Sequence, residues 1–251
     1  MKLSTIITDS YERKARLYPA LLLIAPVVGT GVAMSSAKLS GLQSLVAGVI
    51  GCGGAFLLTQ LARDSGKKRE SSLFSKWGGM PSVAIFRHRD PRLDAITKAR
   101  YHKKLAKLVK EAKPPAPEEE QADPASADAV YKAWSNYLRI NTRDTKKFAL
   151  LFRENIAYGY RRNIWGLRPV GLFISLVSMA ICLVRIYCIY KSTEEISESV
   201  AGAAIFSVIM LLLWLFRFTD DWVRIPADAY AERLAETVDA LAPEAPTNKR
   251  S

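Results

Sequence analysis

The chain has 251 residues, of which 49% are hydrophobic and 24% are charged, and its formal net charge at pH 7 is +12. These averages hide a segregation, because four apolar stretches together hold 77 residues and a single charge, Arg185. One soluble core cannot bury four helices that are apolar on every side, so the composition excludes an ordinary soluble domain and predicts a multi-pass membrane protein. The predicted transmembrane segments are 17–34, 42–62, 170–190 and 200–216.

Lysine and arginine are concentrated in the middle of the chain. Of the 36 basic residues, 24 lie between Arg63 and Arg168 together with 12 acidic residues, so this segment alone carries a charge equal to that of the whole chain. The two short connections between paired apolar segments hold only Lys38 and Lys191. Because lysine and arginine near the ends of membrane spans favour the cytoplasmic side, we expect both termini and the middle segment to be cytoplasmic.

This topology divides the chain into five parts and makes the predicted fold mainly α. The parts are a basic tail (1–16), a first transmembrane hairpin (17–62), a basic and mainly helical cytoplasmic module (63–169), a second transmembrane hairpin (170–216) and a cytoplasmic amphipathic helix with its tail (217–251).

Small residues recur every four positions in both segments of the first hairpin. Such ridges let helix backbones approach closely in lipid. We interpret them as helix-packing positions, either between the two segments of the hairpin or between the subunits of a homo-oligomer. The positions are Ala25, Gly29 and Ala33 in the first segment and Ala47, Gly51 and Ala55 in the second.

The cytoplasmic module begins with a turn signal and contains a stretch with the composition of a linker. Gly78 and Gly79 mark the turn, and residues 82–86 after it are predicted to form a short strand. Residues 111–122 contain three prolines and three successive glutamates, which predict a solvated linker.

Three helices are predicted in the same module. The Asp-Pro pairs at 90–91 and 123–124 each combine a capping carboxylate with a proline at the first helical position, so a helix should begin at each pair. A third helix should begin near Asp144 and end at Gly166, a C-cap glycine that precedes Pro169.

The first of these helices is amphipathic, with a basic face, and several arginines precede it. The basic side chains have three interpretations: contact with anionic lipid, recognition of a small anionic ligand, or a solvated face that only enforces topology. We do not expect nucleic acid to be the main partner, because these residues are tethered to the membrane and no nucleic-acid-binding motif accompanies them. The candidate anion or lipid contacts are Arg87, Arg89, Arg92, Lys103, Lys107 and Lys110.

Three arginines near or inside the second hairpin are further candidates. Arg161 and Arg162 lie on the helix that leads into the third span, where they either couple a cytoplasmic event to that hairpin or act as ordinary inside-positive anchors. Arg185 is the one ionisable residue in a predicted span and is therefore a functional candidate. It lies about 7.5 Å below Tyr190 along a helix. From there it either snorkels to the outer surface or lines a pore shared by several subunits.

The sequence gives little support for catalysis. His88 and His102 are the two histidines of the chain, and no cysteine lies in a predicted cytoplasmic segment, so neither a usual zinc site nor a Cys/His pair can form there. A P-loop, a dinucleotide-binding fingerprint and a G-x-S-x-G motif are all missing from the sequence. We predict a non-enzymatic protein without a cofactor or a metal, with a lipid-handling enzyme as a third alternative.

In the segments DSYERKARLYPALLLIAPV, KWGGMPS and RDTKKFALLFRENIAYGYRRNIWGLRP, the chain resembles an uncharacterised family of bacterial multi-pass inner-membrane proteins. The resemblance implies a layout of two spans, a cytoplasmic middle and two spans in a bacterial inner membrane, and it brings no activity. By layout alone, the chain is also similar to the four-span membrane effectors of anti-phage defence systems.

The leading hypothesis is an oligomeric gated pore or membrane-disrupting effector that the cytoplasmic module controls. The alternative is a membrane-anchored scaffold or assembly factor that recruits a cytosolic protein. The expected partners are the lipid bilayer, further copies of the chain, and a cytosolic protein or a small anionic ligand.

Overall fold

The computed structural model describes residues 9–34, 54–192 and 195–241. Helices account for 82% of these residues and no strand occurs among them, which confirms the mainly α fold. The helices are α1 (Glu12–Met34), α2 (Ala55–Lys76), α3 (Pro81–Ala84), α4 (Ala95–Leu108), α5 (Pro117–Ala122), α6 (Pro124–Asn141), α7 (Ala149–Ser192), α8 (Glu198–Arg217) and α9 (Asp220–Ala240). The first residues of α1, Glu12–Leu17, and the last residues of α8, Leu213–Arg217, are π-helical.

Three of these helices, α1, α7 and α8, are long and apolar enough to cross a membrane. They contain the predicted segments 17–34, 170–190 and 200–216, and this finding supports a membrane protein. Most of the remaining segment, 42–62, lies outside the described residues, as do the packing candidates Ala47 and Gly51. The four-span topology and its hairpins therefore stay predictions.

The chain divides into two compact units. Unit 1 comprises Met1–Ser71 and Gly159–Val223, and it contains the apolar parts of α1, α7 and α8. Unit 2 comprises Ser72–Tyr158 and Arg224–Ser251, so it contains α3 to α6 and most of α9. The C-terminal helix, which the sequence separates from the cytoplasmic module, thus contributes to the same unit as the module.

The core of unit 2 is built on α6. Ala127, Tyr131, Trp134 and Leu138 are buried and recur every three or four residues, so they form one face of the helix. They join side chains of α4 and α9 in one apolar cluster. Burial of each large side chain contributes about 2 kcal/mol. Asp123 starts the helix by accepting a hydrogen bond from the Ser126 backbone N–H at 3.1 Å, which confirms the predicted Asp-Pro start.

The predicted strand at 82–86 is wrong. Pro81–Ala84 is a short helix with proline at its first turn, and it follows Met80 in an extended conformation. Ile85 and Phe86, just after this helix, are fully buried. Residues 82–86, four of them apolar, are all buried, and so short a buried run has no periodicity that distinguishes a strand from a helix.

The predicted start of the next helix at Asp90-Pro91 is also wrong. The helix begins at Ala95, and Asp94 is its N-cap, accepting a hydrogen bond from the Thr97 N–H at 2.9 Å.

The predicted linker at 111–122 is wrong in its second half, because Pro117–Ala122 is the helix α5.

The helix α7 differs from its prediction at both ends. It begins at Ala149, because the Asp144 carboxylate accepts from the N–H groups of Lys146 and Lys147 in a turn before the helix. It passes through Gly166 and Pro169 and continues to Ser192, so Gly166 is not a C-cap. Proline is tolerated within membrane-spanning helices.

Candidate functional site

Arg87, one of the predicted anion contacts, points into unit 2. Its Nε and Nη2 atoms donate to the two carboxylate oxygens of Asp128 at 2.8 and 2.6 Å, and Nη1 donates to the Gly78 carbonyl at 2.7 Å. The hydrogen bonds to Asp128 raise the pKa of Arg87. Gly79 has a φ of +133°, and a Cβ atom there would lie 2.5 Å from Nη2 of Arg87. Arg87 therefore holds the glycine turn against α6.

Arg92 makes a second internal ion pair in the same unit. It donates to both carboxylate oxygens of Asp90, at 2.9 and 2.6 Å, and through Nη1 to Asp228 of α9 at 2.7 Å. Burial alone would raise the pKa of Asp90, but the hydrogen bonds and charge of Arg92 outweigh burial and lower it. Arg92 thus joins the loop before α4 to the C-terminal helix.

The other four basic candidates lie on the surface of unit 2. Lys103, Lys107 and Lys110 are exposed on or just after α4. Arg89 is 64% exposed, and its Nε is 4.0 Å from Glu120. The structure therefore separates two inward-facing arginines from four outward-facing side chains that remain accessible to an anion or a lipid surface.

A buried network around Glu120 connects the elements of unit 2. The Glu120 carboxylate accepts from the Tyr131 hydroxyl at 2.7 Å and from the His88 N–H at 2.8 Å. The Lys98 ammonium, whose pKa is lowered by burial, donates to the carbonyls of His88 and Asp90. The sequence pattern does not identify Glu120, although it lies in the run of three glutamates, because nothing local distinguishes it from its exposed neighbours.

His102 belongs to the same network. Its Nε2 is 2.8 Å from the Phe86 carbonyl oxygen, which only accepts, so this nitrogen carries the proton. The ring lies between those of His88 and Trp134, with centroids 4.9 and 5.0 Å away. Burial lowers the pKa of His102 to about 4. The network leaves these groups with protein partners, and the described part of the chain holds no cluster of metal-ligating residues.

Arg162, a predicted coupling residue, is buried in unit 1. Its Nη1 donates to Glu70 of α2 at 2.8 Å, and Nη2 donates to the Asn163 side-chain oxygen at 3.1 Å. Asn163 in turn donates to the Ala15 carbonyl of α1 at 2.7 Å. These contacts tie three helices together. No local sequence pattern identifies Glu70 or Asn163 as members of this cluster.

Arg161, the second coupling candidate, lies against an aromatic residue. It donates to the Trp222 carbonyl at 2.9 Å, and its guanidinium is 5.0 Å from the centre of the Trp222 ring. Arg217 lies 5.1 Å from the same ring. Arg168 donates to the carbonyls of Trp214 and Leu215 at 2.9 Å, where the π-helical end of α8 leaves carbonyls open.

The intramembrane candidates have different environments. Arg185 is exposed on α7. Ala25, Gly29 and Ala33 are half-buried, and a Cβ atom on Gly29 would lie in ordinary contact with Phe206 of α8, at 3.7 Å. The side chain of Ala55 lies outside the described part of the structure. The small-residue ridge of α1 thus lies against α8 at Gly29.

Comparisons with known proteins add no identity: no family model matches the chain, and no match is found among curated proteins or solved structures.

Proposed function

We propose that this chain is a membrane-anchored scaffold, in which four spans hold unit 2 at the cytoplasmic surface and unit 2 recruits a cytosolic protein without catalysis. The observation that carries this proposal is the outward surface of the three apolar helices. That surface is hydrophobic, as lipid requires. Its exposed side chains include Val32, Phe173, Val184, Ile205 and Phe216.

The serine and threonine side chains within the apolar segments of these helices are instead buried inside unit 1. Ser175, Ser178 and Ser207 are buried, and Thr30 is buried against Cys182, with 3.8 Å between Oγ1 and Sγ. A hydrated channel between subunits needs a polar outer face on at least one helix. An apolar exterior and a polar interior therefore favour an anchor over a permanent pore.

The proposal that the protein is not a catalyst rests on the hydrogen bonds and ion pairs that the polar groups of unit 2 make with one another. Arg87, Arg92, Lys98 and Glu120 all bind other residues of unit 2, so each serves the fold. A general acid or base must reach a substrate from an open site. These buried residues hold loops and helices together instead.

The orientation is proposed from the charge distribution, and the membrane from the sequence resemblance. Basic residues flank the apolar helices on the side of the middle segment, which supports cytoplasmic termini. The resemblance to bacterial inner-membrane proteins is the reason for proposing a bacterial inner membrane.

Arg185 favours a second candidate function, an oligomeric gated pore. It is an exposed cation on an otherwise apolar helix surface. In an oligomer whose subunits met on this face, a ring of guanidinium groups would favour anions.

An ion-flux assay separates the two candidates. The purified chain is reconstituted into liposomes beside its Arg185→Glu variant, and the oligomeric state is measured in parallel. The scaffold predicts that both proteins give the flux of empty liposomes. If the wild type instead conducts ions with a preference for anions, and Arg185→Glu reverses that preference, the scaffold proposal is rejected in favour of the pore.

Recruitment is tested by site-specific photocrosslinking in cells. A photoreactive residue at exposed Lys103 in unit 2 should capture a defined cytosolic protein, because the scaffold presents this surface to its partner. The matched control is Leu183, 54% exposed on α7, which should contact lipid instead. Equal capture at both positions, or none from Lys103 and Lys132 of unit 2, would contradict recruitment.

A further inference from the structure

Unit 2 contains a crevice where α6 ends and α7 begins. It has a volume of about 300 Å³, which is at the lower end of small-molecule sites. Arg139, from the last turn of α6, and Arg143, from the loop after it, line one part, and Asn155 of α7 lines another. Leu151 and Tyr230 contribute apolar surface.

The two arginines of this crevice differ from most other arginines described in unit 2, which have an acidic partner. Arg87, Arg92 and Arg233 each lie within 3 Å of a carboxylate oxygen. Within the described ranges, Arg139 and Arg143 have no carboxylate at ion-pair distance, and both side chains are exposed. Two guanidinium groups without a counter-charge in one crevice repel each other, and an anion between them removes that repulsion.

The one carboxylate of the adjoining loop is directed elsewhere. Asp144 accepts from the backbone N–H groups of Lys146 and Lys147, at 2.9 and 3.1 Å, and these hydrogen bonds lower its pKa. It does not line the crevice. The loop therefore holds its acidic group in a turn and leaves the crevice with a net positive charge.

Neutral donors complete the lining. Asn155 is half-buried, and its side-chain amide has no hydrogen-bond partner among the residues that the structure describes. Thr145 adds a hydroxyl at the rim. Thr142, by contrast, uses its hydroxyl on the Leu138 carbonyl at 2.8 Å.

We infer that this crevice binds a phosphate-bearing anion. Arg139 and Arg143 form ion pairs with it, and the side chains of Asn155 and Thr145 donate hydrogen bonds to it. A phosphate monoester carries about −1.5 to −2 charges and three acceptor oxygens. It thus matches two guanidinium forks and two neutral donors, whereas a carboxylate has two oxygens and one charge. The ligand is a phospholipid headgroup or a soluble phosphate compound. This inference goes beyond the proposed scaffold, which requires no small ligand.

The site has a consequence for α7, because Asn155 lies in the first turns of that helix. A ligand bound there contacts the same uninterrupted helix that contains the apolar segment 170–190. It shifts a conformational equilibrium only as far as its affinity differs between the two conformations.

The test uses the full chain in detergent and two probes that represent the two sources. Inorganic pyrophosphate represents soluble phosphate compounds, and dihexanoyl phosphatidic acid represents a lipid headgroup. Affinities are measured by isothermal titration calorimetry for the wild type and for Arg139→Gln/Arg143→Gln. The matched control, Lys113→Gln/Lys132→Gln, removes the same charge from two exposed positions of unit 2 that do not line the crevice.

The wild type should bind at least one probe, and the crevice variant should bind it at least about tenfold more weakly, as expected for the loss of charge-assisted hydrogen bonds. The control should change affinity by less than about twofold, because neither lysine lines the crevice and a charge outside it acts on the bound anion only through screening solvent. Binding of pyrophosphate alone assigns a soluble ligand, and binding of phosphatidic acid alone assigns a headgroup.

Two results would overturn the inference: binding of neither probe by the wild type, or an equal loss in the lysine control. If the double variant fails to fold, the single variant Asn155→Leu decides, because it removes a donor and leaves both arginines. Several-fold weaker binding supports the site, and unchanged affinity rejects it.

Discussion

Gly166 of α7 and Gly66 of α2 lie so close together that a Cβ atom on Gly166 would be 2.5 Å from the backbone nitrogen of Gly66. A Cβ atom on Gly66 would in turn lie 2.3 Å from the Asn163 side-chain oxygen. Backbone atoms cannot move away as the end of a side chain can, so the crossing of these two helices requires glycine. Gly159 lies about two helical turns before Gly166 on α7. A Cβ atom there would lie 3.2 Å from the Cβ atom of Ala15 of α1, so this position is also tightly packed.

We predict that Gly166→Ala destabilises unit 1, at a cost of about 1 to 3 kcal/mol or more from overpacking. The control is Gly202→Ala on α8, where a Cβ atom meets nothing within 4 Å. That change should leave stability equal or slightly higher, because alanine favours helix. Thermal unfolding in detergent measures both, and equal midpoints for the two variants would contradict the close crossing.

Loss of the buried Arg162–Glu70 pair should also weaken unit 1. Arg162→Gln leaves a largely buried carboxylate without its 2.8 Å partner, and such losses cost about 3 to 5 kcal/mol. Lys67→Gln removes the second, exposed partner of the same carboxylate, at 3.6 Å, and should cost less than about 1 kcal/mol. If both variants unfold at the same temperature in detergent, the buried pair has no special role.

A neighbouring pair of glutamates tests the network in unit 2. Glu120→Ala leaves the Tyr131 hydroxyl and the His88 N–H unpaired, at an expected cost of about 1 to 3 kcal/mol for each buried donor. Glu118→Ala changes an exposed residue of the same helix and should alter stability by less than about 0.5 kcal/mol. Hydrogen exchange of the α6 amides reads out the difference, and similar exchange in both variants would show that Glu120 is not structural.

The stability of unit 2 should fall in mild acid because of His102. Its pKa is about 4 in the folded protein, against an ordinary value of 6.5. Between these two pH values the unfolded state binds a proton at His102 and the folded state does not, so acid favours unfolding. Stability is therefore complete above pH 6.5 and falls by about 3 kcal/mol as the pH approaches 4. Charged and titratable neighbours, Lys98, His88 and Glu120, face the same ring.

Hydrogen exchange of unit 2 at a series of pH values, corrected for intrinsic rates, measures this dependence. His102→Gln keeps a side-chain N–H for the Phe86 carbonyl but does not titrate, so its stability should vary less between pH 6.5 and 4. A slope that persists in His102→Gln would assign the effect to another group.

Local signals in the sequence predict those features of the fold that local contacts determine. Asp123-Pro124 correctly predicts the start of α6, since the cap hydrogen bond joins residues three apart. The apolar runs likewise predict three long helices, because composition alone requires them.

Asp90-Pro91 carries the same signal and fails for a non-local reason. The Asp90 carboxylate binds Arg92, which also binds Asp228, 136 residues further along the chain. Arg87 is predicted as an anion contact, but its guanidinium donates hydrogen bonds to the carboxylate of Asp128, which is 41 residues away in the sequence. No pattern within one helix contains either partner.

Glycine near a proline illustrates the same limit. Gly166 before Pro169 has the composition of a helix end, but its actual role is to admit the backbone of α2. The corresponding signal, small residues at Ala62 and Gly66, extends across the end of the predicted segment 42–62, so the pattern inside that segment does not include Gly66. The crevice at Arg139 and Arg143 likewise depends on how α6, α7 and α9 meet.

In the proposed topology, lipid surrounds the apolar helices and unit 2 faces the cytoplasm. Topology reporters placed at Lys38, Glu118 and Lys191 of the full chain, with alkaline extraction of the membranes, test it most directly. We predict that the protein stays with the membrane, that the reporter at Glu118 is cytoplasmic, and that those at Lys38 and Lys191 lie on the opposite side. A chain that is released without detergent, or a reporter at Glu118 on the far side, would contradict the account.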